Sequence, residues 1–265
     1  FHFDQSHLTA AGRVIAGRQA REMIPRLVRG GSMGILMNDA RDLAVLAGPT
    51  PEASALLAAV DRLENDPTLW DMFSTQEDAR VDEVAEILND PLFDGARASG
   101  GAPGMALARA SSLQAEEASR LERSLDRIAI VLDALAETEG PRTFIYFADT
   151  LRAKPGDHYL QMVSPTLLRE KPVVRTLGAR MERAAEFGDL SLQRLARHAA
   201  SSGIRFCAAE SAALASAPGP GSPDGVGARG ANNATISASV RERQARDTLE
   251  SLEAATEMDD PADPE

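Results

Sequence analysis

The segment Thr143-Phe144-Ile145-Tyr146-Phe147-Ala148 constrains the fold of this chain more than any other. It is almost wholly apolar, opens after Gly140-Pro141 and ends on an acid, Asp149. A strand without polar alternation is covered on both faces, which is the condition of a central strand in a parallel sheet. The rest of the chain must therefore supply parallel neighbours and helices to cover them.

Candidate elements alternate as that requirement demands. Phe1-His2-Phe3-Asp4 reads as the end of a short strand with Phe1 and Phe3 on one face. A helix follows from about Thr9 to Val28, in which Val14, Ala20, Met23, Ile24 and Leu27 recur at helical spacing, and Gly30-Gly31 stops it. Met33–Met37 has strand length, Asn38-Asp39 reads as a turn, and Leu43–Leu46 as the antiparallel partner. Thr50 and Pro51 suit the N-cap and first position of another helix, with Leu56, Leu57, Val60 and Leu63 as its buried stripe. Between 65 and 104 the pattern weakens to one helix, about Gln76–Leu88. From about Met105 to Glu137, Leu121, Leu125, Ile128, Leu132 and Leu135 form one apolar face that should lie along the sheet. Helices are expected at Gly156–Val163, within Leu167–Phe187 and at Leu190–Ser202, followed by Gly203 and the strand Ile204–Ala208. A last helix covers about Ser239–Thr256.

This order predicts an α/β fold, doubly wound, with a mostly parallel sheet, one antiparallel edge strand and helices on both faces. It reads as one domain over residues 1–257, with an insertion at 65–104, a flexible Ala/Gly/Pro/Ser-rich loop at 211–236 and a disordered acidic tail at 258–265. The first residue already lies in a strand, so the chain reads as a piece of a longer protein and its compartment is not legible.

Composition removes several function classes. Forty-three per cent hydrophobic residues are ample for a core, and no run approaches the roughly 20 apolar residues of a membrane span. A net charge of −12 disfavours nucleic acid, because the arginines at 18, 21, 26, 29, 120, 123 and 127 read as solvated helix faces. One cysteine, Cys207, permits no internal disulfide and reads as an inert core thiol. No dinucleotide fingerprint, phosphate loop or nucleophile elbow occurs, and the sequon at Asn233-Ala234-Thr235 is explained by chance.

Ligands of an open parallel sheet bind beyond the carboxyl ends of the strands, where strand order reverses. Asp4 and Asp149 fall at two such ends, with Ser6 just beyond the first. On neighbouring strands they would converge on one crevice, and their oxygens suit a hard cation such as magnesium, manganese or calcium. In the plainer reading Asp4 caps the following helix and Asp149 ends a strand in a turn. A rival set, His2, Asp4, His7 and Asp149, would hold zinc or another transition metal and serve a metal-dependent hydrolase, with only the distant His158 and His198 left to complete its shell.

Phe3-Asp4-Gln5-Ser6-His7-Leu8 resembles the Asp-x-Ser-x-Ser motif that ends the first strand of von Willebrand factor A domains. Phe144–Thr150 is similar to that family's later strand, and Leu46–Thr50 to the segment after its hairpin. Pro141-Arg142-Thr143, Ser202–Phe206 and Asp247–Leu252 resemble, in order, segments of bacterial domains related to this family and found in exported proteins. The resemblance spans residues 1–257. It implies a Rossmann-like fold, a non-catalytic protein-binding module of adhesion or scaffold type, and a periplasmic, envelope or secreted location. It also implies a metal-ion-dependent adhesion site on Asp4, Ser6 and Asp149, taking magnesium or manganese. That site is degenerate here: Leu8 stands where a second serine belongs and Ala102 where a threonine belongs, with Thr50 a candidate stand-in from another segment.

Overall fold

A computed structural model describes residues 1–73, 76–89, 101–167, 171–210 and 227–257. Five strands form one sheet, β1 (His2–Asp4), β2 (Gly34–Asp39), β3 (Leu43–Thr50), β4 (Arg142–Ala148) and β5 (Ile204–Glu210), in the order β3-β2-β1-β4-β5. Only the β2–β3 pair is antiparallel. The fold is α/β with one antiparallel edge strand, and its strand order reverses between β1 and β4.

Seven helices accompany the sheet among the described residues: α1 (Ala10–Leu27), α2 (Ala53–Asn65), α3 (Glu77–Asn89), α4 (Gly101–Ala136), α5 (Asp157–Leu167), α6 (Lys171–Ser201) and α7 (Gly227–Glu257). Strand alternation decides which helix packs where. Phe3, Leu36, Ile145 and Phe147 point to one face and meet Ala16, Ala20 and Ile24 of α1 with Leu56, Val60 and Leu63 of α2. Phe144, Tyr146, Ile204 and Phe206 point to the other, against Leu121, Leu125, Ile128 and Leu132 of α4 and side chains of α6 and α7. The leucine stripe of α4 thus lies along the sheet as its periodicity requires.

At 36 residues α4 is about 54 Å long, far longer than the strands it covers. Its first half extends past the carboxyl edge of the sheet and packs through Ala106, Ala110 and Leu113 against Val81 and Val84 of α3 and Tyr159, Leu160 and Val163 of α5. These three helices form a cap with its own core above the strand ends.

Several local expectations are corrected. Asn38 and Asp39 end β2 rather than turning, because each side chain has a tertiary partner: Asn38 donates to the Leu69 carbonyl at 2.9 Å, and Asp39 accepts from Arg127. β3 runs on to Thr50, so α2 starts later, with Glu52 in the cap position; the Thr50 hydroxyl accepts only the Glu52 amide at 3.1 Å. In α1, Val14 and Leu27 are exposed and the small residues Gly12, Ala16 and Ala20 face the sheet, since their size lets the helix approach closely. The two helices expected around Leu167–Ser202 are one, α6. Residues 227–236 of the expected loop belong to α7; 90–100, 211–226 and the tail 258–265 lie outside the described residues. Arg120 and Arg127 are not on a solvated face: the first lies over the Phe73 ring, the second binds Asp39.

Candidate functional site

The carboxyl ends of β1 and β4 are bound together by backbone. The Asp149 and Thr150 amides both donate to the His7 carbonyl, at 2.9 and 3.0 Å. Around this junction the buried polar residues sort into two clusters.

The first lies under the α4 face of the sheet. Asp4 is fully buried, and its Oδ1 accepts the His7 amide at 3.2 Å, capping a single turn of 3-10 helix at Gln5–His7. Oδ2 accepts the Tyr146 hydroxyl at 2.6 Å and lies 2.8 Å from His7 Nδ1. Burial by itself would raise this carboxyl, but His7 and Tyr146 hold it well below the usual carboxylate range. His2 packs against the rings of Phe144 and Tyr146, with Nε2 3.7 Å from Asp39.

Asp149 is turned to α1. Its carboxylate accepts the Thr9 amide at 2.8 Å and the Thr9 hydroxyl, while that hydroxyl accepts the Gly12 amide and caps the helix. A Cβ on Gly12 would run into the Asp149 carboxylate, so glycine is needed for the close approach. Burial pushes the Asp149 carboxyl up to about 6 despite the Thr9 bonds. Ser6 donates to Asp71 at 3.3 Å.

The structure thus sets Asp4, Ser6 and Asp149 on two adjoining loops, while the Asp4 and Asp149 carboxylates accept from different donors, His7 and Tyr146 for the first and Thr9 for the second. Leu8 is buried in the α1–α2 core, and Thr50 pairs with Gly34 at the opposite edge of the sheet, away from the crevice. His198 is 2.9 Å from Asp133 and remote from both clusters, and Cys207 packs half-buried against the α1 side.

The segment expected to be an insertion closes the crevice. Trp70 donates to the Leu63 carbonyl at 2.6 Å, Arg13 lies over its ring, and the Arg13 Nε–H donates to Gln5 at 2.7 Å. Phe73 then lines a cavity of about 20 Å3 with Ser6, His7, Glu117, Thr150 and Arg152. That is room for about one water molecule.

The second cluster joins sheet to cap. Arg152, in the loop after β4, makes a two-pronged bond to Glu77, the first residue of α3; its second nitrogen is 2.9 Å away. It also lies 3.8 Å from Glu117 of α4. Arg241 of α7 reaches Glu77 at 3.3 Å and Asp78 at 2.7 Å. Against the burial that would raise it, this positive charge holds Glu77 down to about 2. Glu117 shifts the other way, raised by burial and by the charge of Glu77, although it accepts the Gly156 amide at 2.6 Å. Gly156 has a positive φ of 65° and abuts the Gln114 backbone, which permits no side chain. His158 is 1% exposed, neither ring nitrogen has a hydrogen-bond partner, and burial lowers its pKa well below the ordinary value.

One oxygen each from Glu77 and Glu117 and a nitrogen of His158 lie within 4.8 Å of one another, a group that could hold a metal ion. Among the described residues no other three His, Cys, Asp or Glu side chains meet in this way, so His2, Asp4, His7 and Asp149 do not form such a group. The sequence reading missed this cluster. Its only signal was polar residues on apolar stripes: Glu117 between Leu113 and Leu121, and Glu77 in step with Val81 and Val84.

No helix among the described residues is long and apolar enough to cross a membrane. The chain matches no family model, no curated protein and no solved structure.

Proposed function

We propose that this chain is a non-catalytic protein-binding module of the von Willebrand factor A type, whose contact surface is the rim of loops at the carboxyl ends of the strands. The observation that supports this reading is the junction of β1 and β4. Strand order reverses there, and the loops carrying Asp4-Gln5-Ser6 and Asp149-Thr150 adjoin through the His7 carbonyl. The cavity at that point, about 20 Å3, is far below the roughly 300 Å3 at which small-molecule sites begin. At the junction itself a partner would therefore meet a surface, with a larger cavity of about 370 Å3 beside it between Lys154, Leu192 and Thr248.

The cation of such a module is magnesium or manganese on Asp4, Ser6 and Asp149. Here it would compete with Tyr146 and His7 for Asp4 and with Thr9 for Asp149, and no second serine assists it, so binding is weak. The test places photocrosslinking residues at Arg41 and Lys154 on the rim, and at Arg29 and Glu139 on the opposite edge. A discrete adduct from the rim positions alone, in the source cell, supports the reading; equal labelling of both edges, or none, overturns it. Titration with magnesium and manganese, repeated on Asp4→Ala and Asp149→Ala, tests the cation separately.

The His7–Asp4 pair, at 2.8 Å, favours a second reading, a metal-dependent hydrolase on His2, Asp4, His7 and Asp149. Against it, His2 faces Asp39 and Asp149 is held by Thr9. Zinc-dependent ester or phosphoester hydrolysis lost in His7→Ala would replace the binding reading with this one.

A further inference from the structure

We infer that Glu77, Glu117 and His158 form a closed site for one divalent transition ion of the zinc type, which ties the helical cap together. The inference is independent of the binding module proposed above and concerns a different part of the molecule.

Each of the three residues comes from a different helix: Glu77 from α3, Glu117 from α4 and His158 from α5. Those helices share the small core of Val81, Ala110, Leu113 and Leu160, so the ligands are mounted on packed elements. All three are buried, at 5, 7 and 1% exposure. Burying an imidazole with both nitrogens unpartnered costs free energy, and the contact of this ring with Tyr159, 3.9 Å between centroids, supplies no hydrogen bond in return. Nε2 of this ring lies 3.7 Å from Oε1 of Glu77. That is too long for a hydrogen bond and close to the separation of two ligands on one ion. Donors about 2.1 Å from a metal stand about 3.0 Å apart at a right angle and about 3.6 Å apart at 120°. An imidazole beside two carboxylates suits zinc, cobalt, iron or manganese better than magnesium or calcium.

The position is already attractive to positive charge. Arg152 Nη1 bonds Glu77 and lies 3.8 Å from Glu117, so a guanidinium stands where the ion would sit, and the two compete. An ion entering the site moves Arg152 off Glu77 towards the Arg241 carbonyl, which its Nε–H already reaches at 3.3 Å. A merely structural ion-pair cluster has no such competition, and this separates the two cases.

The full chain, stripped with a chelator, is titrated calorimetrically with Zn2+ and with Mg2+, and Co2+ binding is followed by its visible absorption. The expected result is one equivalent of Zn2+ bound at least tenfold more tightly than Mg2+. His158→Ala and Glu117→Gln should each weaken Zn2+ tenfold or more and abolish the cobalt spectrum, while His198→Ala, remote from both clusters, leaves both unchanged. Arg152→Gln should tighten Zn2+ binding about tenfold; should that variant not fold, Arg152→Lys, which keeps the charge but loses the fork, serves in its place. Absence of Zn2+ binding in both the parent and the arginine variant overturns the site. So does binding that survives His158→Ala, or that depends on His198.

Discussion

The Asp4 cluster beneath the sheet and the Glu77–Glu117 cluster beneath the cap are both buried, yet the first holds its one carboxyl down while the second shifts two carboxyls in opposite directions. Asp4 is one carboxylate serving donors from His7 and Tyr146, all within residues joined by the sheet, and its charge is held in the ionised form. In the cap two carboxylates share the Arg152 guanidinium, and Arg241 brings a second one to Glu77. Glu77 takes both prongs of Arg152, and Glu117 receives a single amide and the repulsion of its neighbour. Burial raises each of these carboxyls, and the sign of the shift depends on whether donors and positive charge outweigh it, as they do at Asp4 and Glu77 but not at Glu117 or Asp149.

The largest effect that separates the clusters is expected at Arg152. Arg152→Gln leaves Glu77 buried without its main partner and should cost about 3–5 kcal/mol, measured by urea unfolding. The double variant Glu77→Gln/Arg152→Gln should recover a good part of that loss. If the single variant costs under 1 kcal/mol, the cap cluster is not held by this pair.

Asp4→Ala comes next, at about 3 kcal/mol, because the Tyr146 hydroxyl and the His7 amide lose a charged acceptor inside the sheet. The pH dependence follows from the depressed carboxyl. The stabilisation is fully present above the unfolded carboxyl value, about 4, and is lost as pH falls from there towards the folded value. The Asp4→Ala variant should therefore lose stability less steeply than its parent below pH 4. Parallel profiles would show that Asp4 carries no special charge coupling.

Gly12→Ala should cost about 1–3 kcal/mol, as the added methyl drives Asp149 off its Thr9 partners. A neutral result would mean that the carboxylate has room to swing aside.

The smallest effect belongs to Asp149 itself. Its pKa is raised, so ionisation in the folded state is disfavoured, and stability contributed by the neutral form declines as pH rises from about 4 to about 6. Asp149→Asn retains an acceptor for the Thr9 amide and cannot ionise. It should be more stable than its parent at pH 7.5 by on the order of 1 kcal/mol, and equal to it near pH 4. Thermal melts at both values decide this, and a variant less stable at pH 7.5 would show that the charge is used.

The two clusters differ as much in how far they can be read from sequence. Asp4 and Asp149 stand directly after apolar strand runs, so their place at the strand ends follows from local pattern. So did the plainer role of Asp4, a cap on the next turn of helix. The partners are another matter. Tyr146 reads as one more apolar strand residue until β1 pairs with β4 and brings His2 opposite it. The cap cluster gathers residues 77, 117, 152, 158 and 241 from five segments, and no spacing links them. Asn38, Asp39 and Thr50 misled for a related reason: turn-forming and capping residues were overruled by tertiary partners and by a strand that continued.

What the amino-acid order determined alone is the set of elements and the faces they bury. Strand and helix periodicities are local, and apolar residues at those periods must be covered whatever covers them. The alternation of types then left a doubly wound sheet with an antiparallel edge as the available architecture. Tertiary structure alone decided which buried polar groups meet, and hence which carboxyl is charged, where Arg152 lies and why His158 has no partner. Those outcomes depend on distances of a few ångströms between segments up to more than a hundred residues apart, and electrostatic and hydrogen-bond energies change over just such distances.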